Sequence, residues 1–220
     1  MMIVSFSGID GAGKSTQIEE LELWLRQSGL RTRIVTFWDD VVVFSRVREF
    51  MSLRVFRGDQ GVGSPEKPLI RRDKNVTAWP VTVLRLFFYL ADALNLHWTI
   101  HRLKAGKTEV VIFDRYIHDE LANLPLNRAV IRAFAWVVLK LVPKPDVSYV
   151  IDADPLRALA RKPEYPIEFL CRNRDAYLML AKLAEDVTVI APGSIDRTQR
   201  KIRQKLLRQL WTGSSTYAIG

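Results

Sequence analysis

The sequence predicts an α/β fold in which a five-stranded parallel sheet is covered by helices on both faces. Short apolar runs alternate with amphipathic stretches along the 220 residues, and no internal repeat or low-complexity tract interrupts them. Three of these runs, 2–6, 109–113 and 147–151, are almost entirely apolar, as expected for strands that are buried on both sides. Regular alternation of strand and helix is typical of a parallel sheet.

The first half of the chain starts with an apolar strand over residues 2–6. The helix predicted over 14–28 carries apolar residues at helical spacing and stops at Gly29. A second strand spans 31–37. The next helix, over 41–56, begins with three valines, whose branched side chains suit a helix less well.

Residues 57–77 are rich in glycine, proline and charge, which predicts a mobile loop. Pro80 then starts a long helix that Gly106 stops, and its aromatic stripe is best explained as core. The remaining elements continue the alternation: strand 109–113, helix 127–141, strand 147–151, helices 155–160 and 168–185 around two prolines, strand 187–191 and helix 195–211. We therefore expect a single domain over 1–211 and a fraying polar tail over 212–220.

The composition limits the classes of partner. The 33 basic and 24 acidic residues give a formal net charge of +9, which favours polyanions such as nucleotides. The arginines are scattered, which argues against nucleic acid as a partner. Charged residues interrupt both apolar segments, 81–98 and 129–142, so neither is a membrane span. The single Cys171 excludes an internal disulfide, and a cytoplasmic location is the simplest expectation.

One segment fits the pattern G-x-x-x-x-G-K-[ST], with Gly8, Gly13, Lys14 and Ser15 at its defining positions. Its glycines would let a phosphate chain approach the backbone, while inward N–H groups and a helix N-terminus supply positive charge. Lys14 would reach the β- and γ-phosphates of ATP, and Ser15 would bind Mg²⁺. These features specify the three-layer P-loop NTPase fold. The predicted ATP-binding residues are Gly8, Asp10, Gly11, Ala12, Gly13, Lys14, Ser15 and Thr16.

Carboxylates follow three of the predicted strands, at the edge where parallel sheets bind ligands. They are Asp39, Asp114 and Asp152. Asp114 closes an apolar strand, as a Walker-B carboxylate does, and is therefore predicted to organise Mg²⁺. A helix N-cap or a salt bridge with Arg115 are its structural alternatives.

Four segments, in this order and spacing, resemble the thymidylate kinase family of nucleoside monophosphate kinases. They are FSGIDGAGKSTQ, VVIFDRYIHDELAN, PKPDVSYVIDADP and RNRDAYLMLA. The resemblance implies phosphoryl transfer from ATP to a nucleoside monophosphate, most simply from dTMP to dTDP, with Mg²⁺. It implies that Asp10 holds the 3′-hydroxyl of the acceptor sugar and that Arg115 contacts the phosphates undergoing transfer.

The resemblance also implies a lid over residues 157–168 that closes over ATP. Arg157, Arg161 and Lys162 are then candidates for contact with the γ-phosphate. Gly11 rather than arginine follows Asp10, which suits family members whose catalytic arginine comes from the lid. A solvated helix face is the alternative that the sequence leaves open.

The acceptor side departs from the family pattern. The family shows Arg-Glu-Pro-Gly after the second strand, where this chain has Phe-Trp-Asp-Asp, and Arg46 or Arg48 could replace the missing phosphate anchor. The family's base-reading arginine gives way to Asp92 and Ala93 in the long helix, although a nearby phenylalanine could stack on a base. The predicted acceptor-binding residues are Asp10, Asp39, Arg46, Phe88 and Asp92.

Two further functions remain open from the sequence. A kinase of a hydroxyl acceptor, such as a nucleoside, would gain from a carboxylate base, and Asp39 could supply it. A phosphate acceptor is already anionic and needs no base. The other alternative is a P-loop protein that binds nucleotides or nucleic acid without catalysing transfer. Dimers are common in the family, and the aromatic helix over 81–98 could contribute a homodimer interface.

Overall fold

A computed structural model describes residues 1–43, 79–184 and 186–216. The described part contains a sheet of five parallel strands, arranged in the order β2-β3-β1-β4-β5. These strands are β1 (Met2–Ser7), β2 (Thr32–Thr36), β3 (Val110–Asp114), β4 (Val147–Ile151) and β5 (Val187–Ile190). The prediction of a five-stranded parallel sheet in an α/β fold is confirmed.

Helices surround this sheet. They are α1 (Lys14–Gln27), α2 (Trp79–Lys104), α3 (Ile117–Leu121), α4 (Ala129–Leu141), α5 (Pro155–Arg161), α6 (Ile167–Leu183) and α7 (Ile195–Thr216). Among the residues described, no helix combines the length and apolar character needed to cross a bilayer.

The central strands form the core and set the position of the site. Every residue of β1 and β4 is buried, in keeping with the largely apolar sequence of these strands. The rings of Phe6 and Tyr149 pack 5.2 Å apart between these two strands. The register pairs Phe6 with Asp114 on β3. The end of β1, where the glycine loop starts, therefore lies beside Asp114.

The structure corrects three predicted elements. Residues Phe37–Val41 form a π-helical turn, and Val42 is extended, so the predicted helix over 41–56 does not begin at Val41. The short helix α3 was not predicted. The last helix continues past residue 211 to Thr216. The remainder of the 41–56 helix, the 57–77 loop and residues 217–220 lie outside the described residues.

The turn after β2 has a local cause. The Asp40 carboxylate accepts a hydrogen bond from the backbone N–H of Thr36 at 2.9 Å, which closes the turn onto the end of the strand. Phe37 and Val41 are buried at its two ends. The turn is thus held by the hydrogen bond from the backbone to Asp40 and by two buried side chains. The branched valines disfavour a regular helix at this point.

Candidate active site

The loop between β1 and α1 depends on glycine at two close approaches. Gly8 and Gly11 have φ angles of 141° and 81°, in the region that other residues rarely adopt. A Cβ atom at Gly8 would lie 2.5 Å from the Ile151 carbonyl oxygen, and one at Gly11 would lie 2.3 Å from that of Ala158. The glycines therefore let the loop pack against the end of β4 and against α5.

Lys14 is buried beneath this loop. Its Nζ donates hydrogen bonds to the carbonyl oxygens of Gly8 at 2.7 Å and Ile9 at 2.9 Å. Burial, together with the positive charge of Arg115, lowers the pKa of Lys14 from 10.5 to about 8, although neighbouring carboxylates oppose the shift. Ser15 and Thr16, the next two residues, are exposed.

A cleft of about 470 Å³ opens beside the loop. It is bounded by the start of α1, by the segment from β4 into α5, and by residues 191–193 after β5. Arg157 and Arg161 line the cleft from α5, and Arg161 Nη1 lies 3.3 Å from the Gly11 carbonyl oxygen. Thr16 lines the opposite side. The structure thus brings three of the predicted loop residues, Ala12, Gly13 and Thr16, and two of the three predicted lid cations to one cleft.

Arg115 lies at the end of β3, across the loop from that cleft. It is the one described non-glycine residue with a positive φ, 72°, and its N–H donates to the Phe6 carbonyl at 2.9 Å. Its guanidinium bonds the carboxylate of Asp10 through Nη2 and that of Asp119 through Nη1, the latter at 2.9 Å. The predicted alternative of a salt bridge with Asp114 is therefore wrong, because the guanidinium pairs with Asp10 and Asp119 instead.

Burial alone would lower the pKa of Arg115, but the charges of Asp10 and Asp119 outweigh it and raise this pKa well above its ordinary value. Burial raises the pKa of Asp114, and the nearby Arg115 and Lys14 oppose that rise. Asp114 is thus a partly desolvated carboxylate that a bound cation would stabilise.

Magnesium suits the donors that are present. Ser15 offers a hydroxyl and Asp114 a carboxylate, and Mg²⁺ prefers hard oxygen ligands. In the described part of the chain, no group of three or more His, Cys, Asp or Glu residues could hold a metal. This agrees with the usual mode of Mg²⁺ binding, in which one or two protein ligands act together with substrate phosphates.

Of the predicted acceptor residues that the structure describes, only Asp10 contacts Arg115. Asp39 is exposed in the turn after β2. Phe88 is half-buried and packs against the core. Asp92 is fully buried, and its Oδ1 accepts a hydrogen bond from the Val43 N–H at 2.7 Å. Arg46 lies outside the described residues.

Sequence reasoning missed two residues of the site, Asp119 and Tyr177. The Tyr177 hydroxyl donates to Asp119 Oδ1 at 2.7 Å, and Asp119 in turn holds Arg115. A signal for Asp119 was present, because a residue four positions after Arg115 lies beside it once a helical turn forms. Tyr177 is 58 positions further along the chain and had no such signal.

The lowered pKa of Lys14 makes a testable prediction about stability. The unfolded chain holds this proton up to about pH 10.5 and the folded protein only to about pH 8, so burial of Lys14 costs stability below pH 8. Stability is regained as the pH rises between these two values. The difference between these two pKa values corresponds to a change of roughly 3 kcal/mol in the free energy of unfolding.

We therefore expect the free energy of unfolding of the wild type to increase, relative to that of Lys14→Met, from about pH 8 to about pH 10.5. Urea denaturation of both proteins across this range measures the difference. Lys107→Met, at an exposed lysine, is the control substitution. A constant difference between the wild type and Lys14→Met would contradict the prediction.

Phosphoryl transfer needs a cradle for the donor phosphates and positive charge around the transferred group. The loop after β1 meets the first need, while Lys14, Arg115 and Arg161 approach it from three different elements. Built on a parallel α/β sheet, this arrangement places the chain among the P-loop phosphotransferases.

Comparisons with known proteins narrow this class to one family. A probable thymidylate kinase from Methanosphaera stadtmanae is 27% identical over 214 residues, which cover 95% of this chain and 99% of that protein. A thymidylate kinase from Bifidobacterium longum is 30% identical over 194 residues, which cover 82% of this chain and 84% of that protein. The chain belongs to the thymidylate kinase family.

The fold agrees with a solved structure. The crystal structure of thymidylate kinase from Ehrlichia chaffeensis matches with a TM-score of 0.59 at 21% identity, and the match covers 94% of this chain and 98% of that one. No family model matches the chain.

Proposed function

We propose that the protein transfers the γ-phosphoryl group of ATP to dTMP and forms dTDP. The observation that carries this proposal is the position of Arg115, which lies beside the P-loop and is paired with the loop residue Asp10. This guanidinium reaches the loop at Asp10 from the β3 side of β1, and Arg161 reaches the next residue, Gly11, from the β4 side. Donor and acceptor phosphates would meet between them.

In the proposed reaction, an oxygen of the acceptor phosphate forms a bond to the γ-phosphorus as the bond to the β,γ-bridging oxygen breaks. The acceptor oxygen is anionic at neutral pH, since the second pKa of a phosphomonoester is about 6. No general base is required. The work left to the protein is to align the two phosphates and to stabilise the spread negative charge.

The donor would be held by the loop N–H groups and by Lys14, with Arg157 and Arg161 on the γ-phosphate. Lys14 would have to exchange its bonds to the Gly8 and Ile9 carbonyls for phosphate oxygens. Ser15 and Asp114 would hold Mg²⁺, which when bound neutralises phosphate charge. We further propose that residues 157–168 form a lid, because Arg161 already reaches the loop at Gly11.

The experiment that tests this function is a coupled assay of ADP release with ATP, Mg²⁺ and a panel of acceptors. We expect turnover with dTMP, and none with thymidine. Turnover confined to unphosphorylated nucleosides would overturn the proposal in favour of a hydroxyl kinase. ATP binding without acceptor-dependent turnover would overturn it in favour of a non-catalytic protein.

The role of Asp39 distinguishes a kinase that acts on a phosphate acceptor from a kinase that acts on a hydroxyl acceptor. Its side chain is exposed, and a phosphate acceptor gives a carboxylate no proton to accept. We expect Asp39→Asn to retain kcat for dTMP within about threefold, whereas removal of a general base typically costs about 100-fold or more. A loss of that size in the same assay would show that Asp39 is a catalytic base.

We also propose that the protein forms a homodimer through α2. The prediction that the aromatic stripe of this helix belongs to the core is wrong, because Phe87 and Trp98 are 65% and 61% exposed. Six large apolar residues recur on this helix every three or four positions and are exposed; they are Trp79, Val83, Phe87, Leu90, Leu94 and Trp98. Trp136 and Val137 on α4 are also exposed. A self-complementary stripe suits a two-fold interface, in which each copy of a helix covers the other.

The dimer proposal predicts the effect of a charge on this face. Phe87 and Leu94 are 65% and 68% exposed, so Phe87→Asp and Leu94→Asp should fold normally and shift the protein from dimer to monomer. Light scattering after size-exclusion chromatography measures the mass. Leu23→Asp on α1, at an exposed leucine outside the stripe, is the control and should leave the dimer intact. A monomeric wild type would refute the proposal.

A further inference from the structure

Arg115 is held by two carboxylates that differ in their surroundings. The side chain of Asp119 is 1% exposed, and that of Asp10 is 10% exposed. Asp10 belongs to the phosphate-binding loop, where the substrates would enter. Asp119 lies in α3, behind the arginine. The two carboxylates therefore approach the guanidinium from the substrate side and from the protein interior.

Asp119 is fixed by donors other than Arg115. Its Oδ1 accepts a hydrogen bond from the Tyr177 hydroxyl at 2.7 Å, and its Oδ2 accepts one from the Tyr116 N–H at 3.2 Å. The Asn123 side chain also donates to the backbone carbonyl oxygen of Asp119 at 2.9 Å. A carboxylate with this many partners keeps one orientation, since any rotation would break several buried bonds.

These contacts connect α6 to Arg115. Tyr177 and Asn173 lie one turn apart on α6, and Asn173 donates to the Ala122 carbonyl at 3.0 Å while Tyr177 donates to Asp119. Helix α6 begins at Ile167, inside the segment 157–168 that we propose as the lid. The helix that carries one end of the lid is thus bonded to the carboxylate that holds Arg115.

We propose that Asp119 and Tyr177 are positioning residues for Arg115. Asp119 keeps one edge of the guanidinium fixed, Tyr177 keeps Asp119 fixed, and the edge that now bonds Asp10 turns to the phosphates. Both residues act through Arg115 and contact no substrate. The left-handed backbone of Arg115, with φ of 72°, agrees with this role, because a directed side chain explains why a strained conformation is retained. This inference rests on the proposed function.

The test compares Tyr177→Phe, Asp119→Asn and the double variant with a matched control. Tyr149→Phe is that control, because it also removes a buried tyrosine hydroxyl, which donates to the Ile202 carbonyl at 2.8 Å in the core. Steady-state kinetics with ATP and dTMP give kcat and KM, and thermal unfolding reports folding.

We expect Tyr177→Phe to lower kcat about tenfold and Asp119→Asn to lower it about 100-fold, with KM for dTMP changed less than about threefold, because alignment matters most in the transition state. Tyr149→Phe should keep wild-type kcat. Because Tyr177 acts through Asp119, the double variant should equal Asp119→Asn alone. Tyr177→Phe keeps the test valid should Asp119→Asn fail to fold.

Two kinetic results would overturn the inference. One is a kcat for Tyr177→Phe equal to that of Tyr149→Phe, and the other is a double variant whose loss is the product of the two single losses. The proposed function fails separately, if the wild type does not turn over dTMP. In that case the ¹⁵Nε–¹H NMR signal of Arg115 tests the positioning role. We expect Tyr177→Phe to shift this signal and Tyr149→Phe to leave it unchanged. An unchanged signal in Tyr177→Phe would overturn the inference.

Discussion

Lys14→Met is expected to lower kcat roughly a thousandfold or more, because a buried cation on the transferred phosphates supplies electrostatic stabilisation of that order. The Lys14 ammonium lies within the loop, bonded to the Gly8 and Ile9 carbonyls, and methionine has a similar length without the charge. The backbone N–H groups of the loop remain in the variant. ATP should therefore still bind, more weakly, while transfer stops.

The same substitution separates catalysis from stability. Burial lowers the pKa of Lys14, so this charge opposes folding at neutral pH while it serves the reaction. We expect Lys14→Met to remain folded in thermal unfolding and inactive in the ADP-release assay. The exposed Lys107→Met should match the wild type in both measurements. Turnover by Lys14→Met within about tenfold of the wild type would exclude the proposed role.

The position of the phosphate-binding loop could be predicted because its signal is local. Gly8, Gly13 and Lys14 lie within seven consecutive positions, between a strand and a helix that periodicity alone identifies. The five parallel strands were predictable for a similar reason, since each is a short run of mostly apolar or β-branched residues. The structure adds the reason for Gly8 and Gly11, which is the close approach of β4 and α5 to the loop.

The pairing of Arg115 with Asp10 and that of Asp119 with Tyr177 could not be predicted, because each joins distant parts of the chain. Asp10 and Arg115 are 105 positions apart, and only the register of β1 on β3 brings them together. The structural alternative of a salt bridge with the adjacent Asp114 failed because the guanidinium pairs with Asp10 and Asp119 instead. The helix α3 was missed because five residues are too few to show helical periodicity.

The turn after β2 shows a second limit. A helix was expected from residue 41, but the chain is extended at Val42, and the Val43 N–H bonds Asp92 on α2. Asn95, one turn further along α2, donates to the Val41 carbonyl at 2.7 Å. Tertiary hydrogen bonds therefore decide a conformation that propensity alone left open.

Arg115→Lys is expected to lower kcat about 100-fold to 1000-fold, although it keeps the charge. The guanidinium bonds two carboxylates through separate nitrogens, whereas an ammonium group is a point charge that cannot hold Asp119 and reach a phosphate in the same geometry. The assay is kcat with saturating ATP and dTMP. Near-normal turnover by Arg115→Lys would mean that only charge, and not direction, is needed.

Arg115→Ala should in addition destabilise the fold by about 3–5 kcal/mol, because it leaves a buried carboxylate without its cation. Asp119 is that carboxylate, being the less exposed of the two partners. Adding Asp119→Asn to Arg115→Ala removes the unpaired charge, so this double variant should regain much of the lost stability and none of the activity. If the double variant regains stability but not turnover, the guanidinium has a role in phosphoryl transfer that is separate from its role in the buried ion pair. If the double variant regains both, Arg115 serves only as the structural partner of the buried carboxylate.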